Sequence, residues 1–257
     1  MEGQMMRWIG TLLLAIGASA GLSGGSLEAL RHSREVRAEE IHRGERPLLM
    51  FGESARRPNL VALTFDDGPD SENTLPILDI LRRHRAGATF FVIGAKVEVE
   101  PEITREILSQ GFEIGNHSHT HPNLARLDRT RLDEEIDLAS TQIEATTGTS
   151  PTFLRPPGGQ WNQGVAEAAA SHGMTTVLWT ANSSDFNTED PNKIAKNVLS
   201  QVRPGGIVLL HDTVRATREA LPAILKGLKK KGLRPVSVGE LLRETQSGPA
   251  ALRQQGR

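Results

Sequence analysis

The chain has 257 residues, enough for one large domain with its own core, and 37% of them are hydrophobic, an ordinary globular share. Its 30 basic and 31 acidic side chains nearly cancel, which argues against a nucleic-acid ligand and against a polycation partner. It contains no cysteine, which excludes a lipid-modified cysteine anchor, a thiolate nucleophile and any cysteine-based metal site.

Residues 1–20 have the layout of a secretory signal peptide: Arg7, then a short apolar run, then Ala18-Ser19-Ala20 as a small-residue cleavage site. The run falls short of the roughly 20 apolar residues a membrane helix needs. The expectation is export to the cell envelope, periplasm or medium, with cleavage after Ala20 and no stable membrane insertion afterwards. Residues 21–58 read as a linker, flexible at Gly24-Gly25 and then dense in Arg and Glu without apolar periodicity. From residue 59 to 244 strand-like and helix-like segments alternate. Strands are expected at 60–65, 88–93, 112–115, 152–154, 174–179, 207–210 and 235–238. Helices are expected at 71–85, 101–110, 128–147, 162–172, 190–202, 216–231 and 239–244. Residues 245–257 read as a disordered tail. Such alternation gives an α/β fold with a parallel sheet covered by helices, of about seven β/α units. A closed barrel and an open doubly wound sheet both fit the count. No glycine-rich loop follows the first strand, so a dinucleotide-binding fold lacks its main signature.

The unusual polar residues fall where these strands end. Asp66 and Asp67 follow the first, His117, His119 and His121 the third, Arg155 the fourth, Asn182 and Asp185 the fifth, and His211 and Asp212 the sixth. In a β/α barrel those ends share one face, where active sites are built. Adjacent carboxylates repel unless a cation or a shared proton relieves them, so one of Asp66 and Asp67 is expected on a metal and the other in proton transfer. His117-Ser118-His119-Thr120-His121 holds three of the eight histidines, a metal-ligand pattern suited to zinc. Spacing alone does not choose among the three. Arg155 beside Asp66 would keep that carboxylate ionised. The Gly158 N–H is a candidate oxyanion donor. His211 is a candidate general acid whose pKa Asp185 would raise.

Taken together, these segments resemble the polysaccharide deacetylases, carbohydrate esterase family 4, with the NodB-homology domain. The likeness runs from about residue 60 to 242. Thr64-Phe65-Asp66-Asp67-Gly68-Pro69 is similar to the TFDDGP motif and His117 to His121 to H-[ST]-x-x-H. Arg155 to Gly159 is similar to R-x-P-x-G, Asp185-Phe186 to the end of D-x-x-D-W, and Leu209-Leu210-His211 to L-x-H. The resemblance implies a distorted (β/α) barrel and a metal-dependent hydrolase that removes acetyl groups from an N-acetylated glycan such as peptidoglycan or chitin oligomers. It implies Asp66 as base and His211 as acid, with Arg155 and Asp185 orienting them. It implies Asp67, His117 and His121 as ligands of a divalent metal, usually Zn2+, with His119 outside the set. Gly158, Phe186 and Leu209 then line the substrate site, and the partner is an acetylated glycan. Three positions depart from the family pattern: Gly158 stands where Tyr is common, Phe186 replaces Trp, and Asn182 replaces the first Asp of its motif. The competing readings are an O-acetyl esterase on acetylxylan-like glycans, a binuclear amidohydrolase using His117 and His119, and a non-catalytic carbohydrate-binding relative.

Overall fold

The computed structural model describes residues 59–246. The expected signal peptide and linker lie outside them, as does the expected tail from residue 247 on. Strand β1 spans Leu60–Asp66 and is followed by helix α1, Thr74–His84. Strand β2, Thr89–Val92, leads into α2, Gly94–Val99, and α3, Pro101–Ser109. Then come β3, Glu113–Asn116, α4, Arg129–Thr147, β4, Phe153–Leu154, and α5, Gln163–Ser171. Two short strands follow without a helix between them, β5, Thr175–Thr176, and β6, Ala181–Asn182. The chain continues through α6, Pro191–Gln201, β7, Ile207–His211, α7, Arg215–Lys230, β8, Arg234–Val236, and α8, Val238–Gln246.

Seven strands pair in the order β5-β4-β3-β2-β1-β7-β6, and β8 pairs with the start of β1. Every pairing along this path is parallel. The sheet is therefore a curled half-barrel with flanking helices, the distorted (β/α) barrel expected from the sequence. It does not close, because β5 and β6 are consecutive in the chain yet form its two ends. Two expectations need correction here. The fifth strand expected over 174–179 is only Thr175–Thr176, and a further short strand at Ala181–Asn182 carries Asn182. The last helix runs to Gln246 and takes in the first two residues of the expected tail.

The pleat of β1 sorts its residues. Val61, Leu63 and Phe65 pack outward with Ile77, Leu78 and Leu81 of α1 and with Ile224 and Leu228 of α7. Leu60 and Ala62 join Phe91, Phe153, Val177 and Ile207 in a separate inner cluster. Side chains alternate along a strand, so Thr64 and Asp66 continue the inner row. On β7, Val208 and Leu210 belong to the outer cluster and Ile207 to the inner one, which puts Leu209 and His211 on the inner side. Register then assembles the rim: Asp66 pairs with His211, and Asn116 pairs with Leu154, which brings His117 beside Arg155.

Close packing under that rim leaves no room for a side chain at position 115. A Cβ on Gly115 would fall 2.6 Å from the Phe91 ring and 3.3 Å from the Phe153 carbonyl. Phe91 is fully buried and supports the Arg155 guanidinium, 4.2 Å from its ring centroid, so it has nowhere to move. Gly115→Val is expected to cost about 1–3 kcal/mol of stability, the usual range for overpacking. Urea unfolding measures this, and an unchanged midpoint would contradict it.

Candidate functional site

Arg155 leaves β4 pointing inward and is completely buried. Its Nη1 donates to Asp66 Oδ1 and to Thr64 Oγ1, each at 2.6 Å. Nε and Nη2 donate to the Val177 and Leu178 carbonyls, each at 3.3 Å, in the segment between β5 and β6. Burial works to lower the arginine's pKa and the Asp66 carboxylate opposes it, the net direction being downward. An arginine starts far above neutrality, so it stays charged. Thr64 passes its own hydrogen to the Val208 carbonyl at 2.6 Å, which leaves its oxygen free to accept from Arg155.

Asp67, the next residue, turns out of the strand with φ +74°. Its Oδ1 lies 3.3 Å from His117 Nε2 and 3.1 Å from His121 Nε2. That oxygen is buried and has no aligned hydrogen-bond donor. His117 Nδ1 is 2.7 Å from the Arg155 carbonyl, which can only accept, so Nδ1 carries the hydrogen and Nε2 presents a lone pair. One ligand atom from each of Asp67, His117 and His121 lies within 4.8 Å of the other two. A carboxylate oxygen and two imidazole nitrogens gathered this closely are a donor set that fits a divalent cation. Burial works to raise the Asp67 pKa, but the imidazoles of His117 and His121, with His211 beyond them, hold it well below the usual carboxylate range. His121 shifts upward, chiefly through Asp67. His119 is not in the cluster. Its backbone N–H donates to Glu135 and its ring lies against Gly94.

Across the cleft, His211 Nδ1 contacts Asp185 Oδ1 at 2.8 Å, so its Nε2 is the nitrogen left for other partners. Asp185 is buried and also accepts from the His211 N–H at 2.8 Å and from the Thr217 hydroxyl at 2.6 Å, both at Oδ2. Burial works to lower the His211 pKa, but the bond to Asp185 and the nearby charges of Asp66 and Asp67 outweigh it and hold it above the ordinary value. Burial works to raise the Asp185 pKa, and the bonds from His211, Thr217 and Ser183 outweigh that, so it is lowered.

The cleft between these groups has a volume of ≈ 240 Å³, and Gly158, Trp179, Asn182, Phe186 and Leu209 help to line it. Gly158 has φ +61°, and the N–H groups of Gly159 and Gln160 close its turn on Pro156 and Pro157, so its own N–H is outside those bonds. The Phe186 ring is 61% exposed and 4.1 Å from the His211 ring, a wall open to solvent on one side. Of the two tryptophans among the described residues, Trp179 lines the cleft and Trp161 does not. The ten residues that the resemblance implies for the site thus meet on one rim. The functions of Thr64 and Thr217 as hydrogen-bond relays were not legible, because a hydroxyl at a strand or helix end has many ordinary reasons to be there.

The polysaccharide deacetylase family model matches residues 53–177. A peptidoglycan-N-acetylglucosamine deacetylase of Bacillus cereus is 39% identical over 189 residues, covering 72% of this chain and 88% of that protein. The chain belongs to the polysaccharide deacetylase family. Among solved structures, this family member superposes on the peptidoglycan deacetylase PdaC of Bacillus subtilis with a TM-score of 0.70 at 35% identity, covering 77% of this chain and 97% of that one. It also superposes on a carbohydrate esterase family 4 pseudoenzyme of Bacillus anthracis with a TM-score of 0.72 at 30% identity, covering 77% and 69%. A deacetylase fold therefore occurs with and without activity, and the side chains of the site must decide.

Asp212 adds a fourth carboxyl beneath this site. It is fully buried, accepts from the Thr74 hydroxyl at 2.6 Å, and packs so tightly on Gly68 that a Cβ there would lie 2.2 Å from its Oδ2. Burial pushes its pKa up to about 7. Unfolded, the group titrates near about 3.9. The folded state thus binds the proton more tightly, so stability falls as pH rises from about 4 through about 7 and stays lower above. Asp212→Asn is expected to flatten that decline in urea unfolding of the metal-free protein. A decline as steep as in the parent would contradict this.

Proposed function

We propose that the chain is a metal-dependent hydrolase that removes acetyl groups from N-acetylated glycans, with peptidoglycan or chitin-like oligomers as the substrate class. One observation carries the reading: neighbouring carboxylates of one turn are committed to different tasks. Asp66 is held by a buried arginine, and Asp67 faces the Nε2 atoms of two imidazoles. Relatives named as peptidoglycan and chitooligosaccharide deacetylases support the substrate class. This chain spans 38% of a peptidoglycan-N-acetylmuramic acid deacetylase of Bacillus subtilis, so the match to such proteins concerns their catalytic portion. Residues 59–244 are proposed as that catalytic domain, exported by the segment at 1–20. Among the described residues no helix is long and apolar enough to cross a membrane.

Asp67, His117 and His121 would hold the metal, and two imidazoles with one carboxylate suit Zn2+ with positions left open. When bound, such an ion polarises a carbonyl and lowers the pKa of water. Asp66 has one oxygen on Arg155, while Oδ2, 3.8 Å from His117 Nε2, faces the metal side. That oxygen takes the proton of the attacking water. The Gly158 N–H, in a residue that lines the cleft, would donate to the oxyanion of the tetrahedral intermediate. His211, kept protonated by Asp185, gives its Nε2 proton to the departing nitrogen, and acetate and the free amine result. Leu209, Phe186 and Trp179 supply apolar walls for the acetyl methyl and the sugar face. The non-catalytic carbohydrate-binding reading has less support, because Asp66, Asp67, His117, His121 and His211 meet at one cleft with Arg155 and Asp185 bonded to two of them.

The deciding assay is acetate release from a panel of N- and O-acetylated glycans, with and without a chelator. Release from N-acetylated glycans that the chelator abolishes is expected, and chelator-insensitive release would overturn the metal assignment. Asp66→Asn is expected to lower kcat/KM by at least about 100-fold, the low end for a general base, while bound metal stays stoichiometric. Loss of metal with activity would assign Asp66 to binding instead.

The acid has a signed pH dependence. His211 must be protonated, so activity falls as pH rises through its raised pKa. Asp185→Asn removes the main support of that shift, so the alkaline limb of kcat/KM should move to lower pH. A limb left in place would show that another group sets it.

A further inference from the structure

The loop that carries both histidine ligands is conformationally demanding. Ser118 has φ +63° and His121 has φ +65°, left-handed values that L-residues adopt at a cost of roughly 1–2 kcal/mol each. Each of its N–H groups from 117 to 121 is met. His117 N–H donates to the Val92 carbonyl at 3.0 Å, Ser118 N–H to Asn116 Oδ1 at 2.7 Å, and His121 N–H to Ser118 Oγ at 3.0 Å. The two in the middle go to one side chain on α4. Glu135 Oε2 accepts from His119 N–H at 2.9 Å and Thr120 N–H at 2.8 Å, and its Oε1 accepts from the Thr120 hydroxyl at 2.6 Å. Asn116 is itself tied to α4 through the Ile136 carbonyl and the Ser140 hydroxyl, each at 2.9 Å.

Resting on the metal-site reading above, we infer that Glu135, which lies outside every sequence motif of the site, is a positioning residue for the metal. Its carboxylate fixes the span between His117 and His121 and so sets where the two Nε2 lone pairs converge. Glu135 touches neither ligand ring; it acts through the backbone of His119 and Thr120. Three bonds to one carboxylate, two of them from adjacent amides, leave the loop one arrangement. Without them the left-handed residues have an extended alternative open to them, and the ligands separate.

The test is Zn2+ affinity of the metal-free protein, measured by competition with a chromophoric chelator, together with the visible spectrum of the Co2+ form. Glu135→Ala is expected to weaken Zn2+ binding by about 10–100-fold, the range for residues that orient ligands from outside the coordination shell, and to alter the Co2+ bands, with unchanged far-UV circular dichroism. Glu135→Gln is expected to recover affinity, because its oxygen can still accept from both amides while its NH2 donates to Thr120. Unchanged affinity in Glu135→Ala, or no recovery in Glu135→Gln, overturns the inference. If Glu135→Ala does not fold, Glu135→Asp decides, since a side chain shorter by one methylene cannot reach all three donors and unaltered affinity there also overturns it. The parent protein and His117→Ala serve as the separate control. If the parent binds no Zn2+, or if His117→Ala binds as well as the parent, the metal-site reading itself fails.

Discussion

A guanidinium withdrawn from water costs several kcal/mol unless its hydrogens are satisfied and its charge is matched. Arg155 meets that condition by using groups the fold would otherwise leave unpaired. The barrel is open between β5 and β6, and the carbonyls of Val177 and Leu178 in that gap have no neighbouring strand to bond them. Arg155 donates to both. Its remaining bonds reach Thr64 and Asp66 on the central strand, and the faces of Phe91 and Trp179 flank it at 4.2 and 5.7 Å. One side chain thus spans the seam of the barrel and orients Asp66, the proposed base. Its backbone carbonyl does a third thing, holding the His117 ring so that Nε2 faces Asp67. Removing the side chain would leave a buried carboxylate unmatched and two inward carbonyls unmet, so seam and site would fail together.

From that anchor the four acids of the rim acquire different characters. Asp66 has a permanent cation on one oxygen. Asp67 has the Nε2 atoms of two imidazoles at 3.3 and 3.1 Å from one oxygen. Asp185 has a histidine, a hydroxyl and an amide, all of which favour its ionised form. Asp212 has a single hydroxyl and a buried, unpartnered oxygen, and it is the one whose proton is held to about pH 7. Like charges this close cannot all persist in one environment. Pushing the environments apart is how one rim can hold the proposed base, metal ligand and orienting group beside a neutral filler.

The sequence made the long elements and the rim legible, for reasons that also explain what it hid. β1 and β7 are unbroken apolar runs because both faces are covered, and the polar residues at their ends stand out by contrast. The run over 174–179 looked like the same thing. Its middle is instead the seam segment, where the Val177 and Leu178 carbonyls bond Arg155 while the Val177 N–H bonds the Leu154 carbonyl of β4, and no periodicity encodes that. Helix α2 was invisible because six residues carry too little pattern, and its first two N–H groups bond the Ser118 and His119 carbonyls. Asp66 and Asp67 could not be told apart from residue types alone, since they are chemically identical. In the sequence only the family resemblance divides them, and the alternation of β1 supplies the physical ground: Asp66 lies inward on the pleat and Asp67 lies past its end. Glu135 sits on a helix rich in exposed charges and reads as one more solvated acid.

Left-handed backbone gathers where the ligands are. Asp67, Ser118 and His121 all have positive φ, and two of the three are themselves proposed ligands. Such conformations persist only where surrounding contacts over-determine them. Here each has its contact: Lys96 Nζ donates to the Asp67 carbonyl at 2.8 Å, Asn116 holds the Ser118 amide, and Ser118 Oγ takes the His121 amide. A chain selected only for stability would have relaxed these turns with glycine. Keeping side chains there makes sense if their value lies in the atoms they carry, a carboxylate oxygen at 67 and an imidazole nitrogen at 121. The backbone accepts strain at those two positions so that three ligand atoms from two separate loops can face one another.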